Sequence, residues 1–136
     1  MMQRFMLLVS HAKLAEGVAS ALEMLMGPRD NVFAFGMEPG ESPEAFVGRM
    51  LQHLPGLTGL TKRDAVVVLG DIAGGAPLTE TCAMLARENP ETQFVAFGGL
   101  NLPMAISATM ALADGLDLDA VRDAVLADGV DAVRQV

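Results

Sequence analysis

Four short apolar runs punctuate the chain, at residues 5–9, 32–35, 65–69 and 94–97. None of them alternates with polar positions, as a strand with one wet face would. Unbroken apolarity suits strands covered on both faces, as in a parallel sheet. The segments between the runs carry helical spacing instead. Leu14, Val18, Leu22 and Leu25 mark one face of a helix over 13–26 that stops at Gly27-Pro28. Ser42-Pro43-Glu44 reads as an N-cap, a proline at the first helical position and an acid in the first turn, with Phe46, Met50 and Leu54 on one face beyond. A third helix is expected from Pro77 to about Glu88, before Asn89-Pro90 bars further turns. A fourth runs from Pro103 to about Ala113, and Asp117 caps a fifth that reaches Asp128-Gly129. The tail "VDAVRQV" follows.

Strand and helix thus alternate four times, the pattern of one α/β domain over residues 1–136, doubly wound around a mainly parallel sheet with right-handed crossovers. The expected strand order is 2-1-3-4, with an added C-terminal edge strand left open. The connection "PGLTGLTKRD" is the least ordered-looking piece, and no repeat or linker interrupts the pattern. The segment "PMAISATMALA", residues 103–113, stands apart because only Ser107 and Thr109 are polar. An outer-layer helix normally turns a polar face to water. This one needs a cover. Either a second copy of the chain supplies it, giving the symmetric homodimer expected here, or the fifth helix folds over it within one chain.

Composition narrows the picture. At 136 residues the chain is of single-domain size and buries enough surface to need no staple. The one cysteine, Cys82, lies in an apolar helical run and reads as a small core residue, which suits a reducing cytoplasm. The N-terminal stretch is too short in apolar residues for a signal peptide, and no later stretch reaches membrane-spanning length. With 17 acidic against 9 basic residues the net charge is −8, which argues against nucleic acid and for basic protein surfaces as partners. Trp and Tyr are absent, so there is no broad aromatic platform for bases or sugars.

In open α/β sheets the chemistry gathers beyond the C-terminal strand ends, where strand order reverses. The first run is followed by Ser10-His11, the second by Met37-Glu38-Pro39-Gly40, the third by "GDIAGGAP" and the fourth by "GGLNLP". In the order 2-1-3-4 the first and third strands are neighbours, ~4.8 Å apart. His11 and Asp71 then leave the same sheet edge side by side. A carboxylate holding one imidazole N–H fixes the tautomer and turns the other nitrogen's lone pair outward, a nucleophile near neutral pH. Gly74 and Gly75, before the helix that Pro77 opens, let backbone amides converge on an anion at the helix's positive end. The three together suggest phosphoryl transfer through phosphohistidine. Singly they carry little: a histidine after a strand is commonly a cap or a surface residue, and Asp-x-x-Gly-Gly is commonly a turn. Their convergence at one edge carries the reading. His53, in "MLQHLPG", reads as a solvated helix end. No Walker lysine, spaced Cys/His cluster or G-x-S-x-G elbow is present, and Ser10-His11 stands where a receiver domain would want paired acids.

These segments, "VSHAKLAEGV", "PGESPEAF", "GDIAGGAP" and "GGLNLPM", resemble over nearly the full length the IIA component of the mannose family of the bacterial sugar phosphotransferase system. The resemblance implies a cytoplasmic homodimer. In it His11 accepts a phosphoryl group from the phosphocarrier protein HPr and passes it to a histidine of a IIB partner. Asp71 matches the orienting carboxylate, and Gly74, Gly75 and Ala76 match the loop that cradles the phosphoryl group. Neither cofactor nor metal is expected. Two departures stand out: Ala76 occupies a position often serine or threonine, and Leu78-Thr79 one often Phe-Asn. They leave open slower transfer or a substitute hydroxyl from Thr79. The sequence closes at Val136, so a IIB protein is expected on a separate polypeptide that mediates any association with a membrane permease. The same phosphohistidine domain also serves as a regulatory module sensing phosphoenolpyruvate supply, and a related carrier subunit serves dihydroxyacetone kinase. "GGAP" and "NLP" sit closer to the transport members. The sugar is not legible, because a IIA chain touches phosphoproteins and never the sugar.

Overall fold

The structure is a computed structural model that describes residues 3–136. Strands β1 (Arg4–His11), β2 (Val32–Met37), β3 (Ala65–Gly70) and β4 (Gln93–Phe97) form one parallel sheet in the order β2-β1-β3-β4. Five helices connect and flank them: α1 (Leu14–Met26), α2 (Pro43–His53), α3 (Ala76–Glu88), α4 (Leu102–Ala113) and α5 (Leu118–Asp131). The period-two alternation of side chains along a strand divides the core. Met6 and Leu8 of β1, with Val67 and Leu69 of β3, pack under α1, α4 and α5. Leu7 and Val9, with Val66 and Val68, pack under α2 and α3. Met6, Leu7, Leu8 and Val9 are all fully buried, which is why the run shows no polar alternation. Truncating one of them, as in Leu8→Ala, costs ~2–5 kcal/mol.

Several details differ from the sequence expectations. Among the described residues the sheet has four strands and gains no C-terminal edge strand. The chain stays helical to Asp131 instead, past Gly129, whose carbonyl accepts a hydrogen bond from Asn101 Nδ2 (3.0 Å). The connection after α2 is not loose. Pro55–Leu57 form a 3₁₀ turn, and Leu57 and Leu60 are buried. Buried Asn89 fastens them, donating to the Leu57 carbonyl (2.6 Å) and accepting from the Leu60 amide (2.8 Å). The cover over α4 comes largely from the same chain: α5 packs along it, burying Ala108, Ala111, Val121 and Val125 in one cluster, and Ser107 Oγ donates to Asp128 (2.7 Å). Met110 remains half exposed beside a groove that includes Pro103, Ile106 and Leu116. Cys82 is partly buried against the α2–α3 core. Among the described residues no helix is long and apolar enough to cross a membrane.

Candidate functional site

The sheet's strand order makes the site. β1 leads out one way to β2, while β3 pairs on β1's other side, so the loops after β1 and β3 diverge at the switch point. Val9 pairs with Gly70, and β1 continues two residues further along β2, to His11 opposite Met37. His11 is therefore the last residue of the strand rather than the first beyond it. Asp71 follows Gly70 directly and turns towards it.

The Asp71 carboxylate makes three bonds, two of them to His11. Asp71 Oδ2 accepts the His11 amide (3.0 Å) and lies 2.8 Å from His11 Nδ1, while Oδ1 accepts the Ile72 amide (2.9 Å). The ring is half exposed and the carboxylate only 10% so. Burial works against ionisation of Asp71, yet the bonds from the His11 amide and ring, the His11 charge and the Ile72 amide outweigh it. Its carboxyl stays below the usual range. An ionised carboxylate can only accept, so Nδ1 carries a proton, and in the neutral ring the lone pair is on Nε2. 

The ring's other edge faces the α3 loop. A Cβ built on Gly75 would stand 3.0 Å from His11 Cε1 and 3.3 Å from the Ile72 carbonyl oxygen, so any side chain here would press on the ring or the loop. Gly74, by contrast, faces open space. Gly75 is the N-cap of α3 and offers no side chain as a cap. Its own amide donates to the Ile72 carbonyl and its carbonyl accepts from Thr79 (both 3.0 Å). With proline at position 77, the Ala76 and Leu78 amides are the first-turn donors without an intrahelical acceptor. They stand at the positive end of the helix. Ala76 is half-buried in this turn; Thr79 is exposed, with its amide used and its hydroxyl unbonded to protein. The fourth loop braces the third. Gly99 and Leu100 amides donate to the Asp71 and Gly70 carbonyls (3.1 and 3.0 Å), and a Cβ on Gly98 would come within 2.6 Å of Ala73 Cα. His53 sits apart, exposed at the end of α2, its ring Nδ1 2.9 Å from the Arg49 carbonyl oxygen.

Three features escape the sequence reading. Ser10 is fully buried and its Oγ accepts the Ala15 amide (2.7 Å), tying the strand end to α1. Ala12 holds a left-handed backbone, φ 49°, the one such non-glycine among the described residues. On the β2 side, Arg49 makes a fork with Glu41 (2.9 and 2.8 Å) and also donates to the Gly36 carbonyl (2.6 Å). Arg49 and then the Glu38 amide hold the Glu41 carboxyl down to about 2. Serine before a helix is a recognisable cap signal; the other two leave no mark in residue type or spacing.

Comparison with known proteins gives a consistent answer. The EIIA-man family model, described as "PTS system fructose IIA component", matches residues 5–126. The "PTS system mannose-specific EIIAB component" of Escherichia coli K12 is 26% identical over 125 residues, covering 92% of this chain and 37% of that protein. The chain thus spans little more than a third of that relative. Two solved structures share the fold. The phosphotransferase system component EIIA from Streptococcus agalactiae superposes with a TM-score of 0.81 at 21% identity, covering 99% of this chain and 97% of that one. The mannose/sorbose-specific IIA subunit from Enterococcus faecalis gives 0.77 at 24%, covering 99% and 96%.

Proposed function

We propose, for a chain that belongs to the EIIA family of the mannose-type phosphotransferase system, that His11 is its phosphoryl carrier. It receives the group from phosphorylated HPr and delivers it to a histidine of a IIB partner. The observation that carries this reading is the 2.8 Å approach of Asp71 Oδ2 to His11 Nδ1, with the rest of the ring half exposed.

In the step, the Nε2 lone pair attacks phosphorus as the donor's P–N bond breaks, and that bond's electron pair returns to the donor ring. Positive charge grows on the His11 ring and is met by Asp71 across the Nδ1–H bond. Negative charge on the phosphoryl oxygens is met by the α3 loop, where the Ala76 and Leu78 amides lack intrahelical acceptors. Ala76 brings no hydroxyl to the cradle; Thr79, one turn along, is the nearest residue of the loop that has one. Delivery to IIB is the same exchange run with the roles reversed. Two oriented imidazoles suffice, so the step calls for no metal or cofactor.

The setting proposed is the cytoplasm, with the membrane reached only through IIB. A homodimer is proposed through the part of α4 that α5 leaves uncovered, around Met110. The test is incubation with phosphoenolpyruvate, enzyme I and HPr. One acid-labile, base-stable phosphoryl group is expected, lost in His11→Ala and kept in His53→Ala. Label retained on His11→Ala overturns the assignment.

A further inference from the structure

A histidine at a strand end is aimed by the two peptide planes on either side of its Cα and by its ring torsion. Here all three are held. Asp71 Oδ2 takes the His11 amide (3.0 Å), fixing the plane before it, and also meets Nδ1, fixing the ring. The plane after it carries the Ala12 amide, which donates to the Met37 carbonyl (2.8 Å). That acceptor belongs to the Met37–Glu38 peptide, whose own N–H donates to Glu41 Oε1 (3.0 Å). Glu41 in turn is gripped by Nε and Nη2 of Arg49, and Nη2 also donates to the Gly36 carbonyl (2.6 Å). An unbroken series of bonds therefore runs from Arg49 through Glu41 and one peptide unit to the backbone of His11.

The arrangement has no slack. Ala12 is left-handed, a conformation that side chains rarely adopt unless their surroundings impose it. Its carbonyl oxygen lies so close to Gly36 that a Cβ there would stand 1.8 Å away. The grip on Gly36 and Glu41 is thus a grip on the turn that follows His11. Arg49 is itself seated over the ring of Phe46, 5.7 Å from its centroid, and Phe46 is fully buried. The far end is anchored in the core.

We infer that Arg49 is a positioning residue for His11. By clamping Glu41 and the Gly36 carbonyl, it locks the β2–α2 loop against the left-handed Ala12, and so keeps the imidazole on Asp71 with Nε2 facing out. The fork is what matters, not the charge: three bonds to two acceptor groups suit a planar guanidinium, and a lysine ammonium cannot reproduce them. This rests on the reading of His11 as phosphoryl carrier, but its first readout does not.

The experiment compares the whole chain with Arg49→Met, Arg49→Lys and Glu41→Gln. Nitrogen-15 shifts of the neutral His11 ring report the tautomer directly, whatever the protein carries. Wild type should show one sharp Nδ1–H form. Arg49→Met should show averaged shifts, with Arg49→Lys closer to Met than to wild type, and Glu41→Gln intermediate. Transfer from phospho-HPr, and labelling by phosphoramidate as a donor that needs no docking, should both fall by up to about 10²-fold in Arg49→Met, as ångström-scale misplacement of reacting groups would give. Wild-type ring shifts in a folded Arg49→Met overturn the inference. Should that variant not fold, wild-type shifts in Glu41→Gln overturn it equally, as does full restoration by Arg49→Lys. A wild-type protein that accepts no phosphoryl group from either donor would refute the carrier function, while the ring shifts would still decide the role of Arg49.

Discussion

Two aspartates bracket β3 and do nearly the same thing at its two ends. Asp64, just before the strand, takes the Gln3 amide with Oδ1 (2.7 Å) and the Thr61 amide and hydroxyl with Oδ2 (2.8 and 3.2 Å). Asp71, just after it, takes the Ile72 amide with one oxygen and the His11 amide with the other. Each straps β3 to a residue at one end of β1, and each carboxyl is held below its ordinary range. At Asp64 the Thr61 and Gln3 amides outweigh burial. They differ in one partner. Among the described residues every hydrogen-bond donor to Asp64 is an amide or a hydroxyl; Asp71 holds in addition an imidazole half open to solvent. A carboxylate strap between parallel strands is ordinary fastening, and it becomes chemistry only when one of its bonds goes to a group that can react.

The sharpest way to break this comparison is to remove the reactive partner. His11→Ala should abolish phosphoryl labelling while Asp64→Asn keeps it on the folded protein, as read by labelling from phospho-HPr. The next separates the straps themselves. Asp71→Asn should slow transfer by about 10²-fold, less than the ~10⁴ of the corresponding change in a serine protease because a phosphohistidine donor is already reactive. Asp64→Asn should leave the rate alone and lose ~0.5–1.5 kcal/mol in denaturant unfolding, since one of its part-buried amide bonds loses its acceptor. Equal effects of the two on rate would collapse the distinction.

A third test lies in the paired glycines. Gly75→Ala should slow transfer severalfold by pressing on the ring, and Gly74→Ala, which meets nothing within 4 Å, should fold as wild type. Rates and melting temperatures of the pair decide it. The smallest effect is in acid. Carboxyls lowered in the folded state stabilise above their unfolded value, ~3.9 for aspartate, and that contribution drains away as pH falls through the lower folded values. Melting temperature should therefore drop below about pH 4, and each Asn variant should flatten part of that fall while changing its slope near neutrality little.

Much of this was legible beforehand because it follows from periodicity. Unbroken apolar runs required a doubly covered sheet, and the strand order then forced the ends of β1 and β3 together, so His11 and Asp71 could be paired across 60 residues. Cap and proline signals placed helix starts to within a residue or so, as at Ser42-Pro43 for α2 and Pro103 for α4. What stayed hidden depends on long side chains and on exceptions. Nothing in the spacing of Glu41 and Arg49 says that their fork also reaches Gly36, and alanine is not a residue from which a left-handed turn is guessed. Composition made 55–64 look loose, because Pro, Gly, Thr and charged residues outnumber its two leucines. Leu57, Leu60 and the distant Asn89 make it firm. The apolar α4 announced that it needed a cover, but helix pattern cannot say whether α5 or another chain supplies it.

The separation between His11 and Asp71 has a bearing on biosynthesis. The histidine leaves the ribosome early, but its orienting carboxylate is made 60 residues later, and β3 reaches β1 only after β2 and α2 have been laid down between them. Local contacts cannot assemble such a pair; it waits on the slow, non-local closure of the sheet. A nascent or partly unfolded chain therefore displays a histidine without its tautomer set and without the α3 loop beside it. On the carrier role proposed for His11, competence to take up a phosphoryl group is acquired only with the fold.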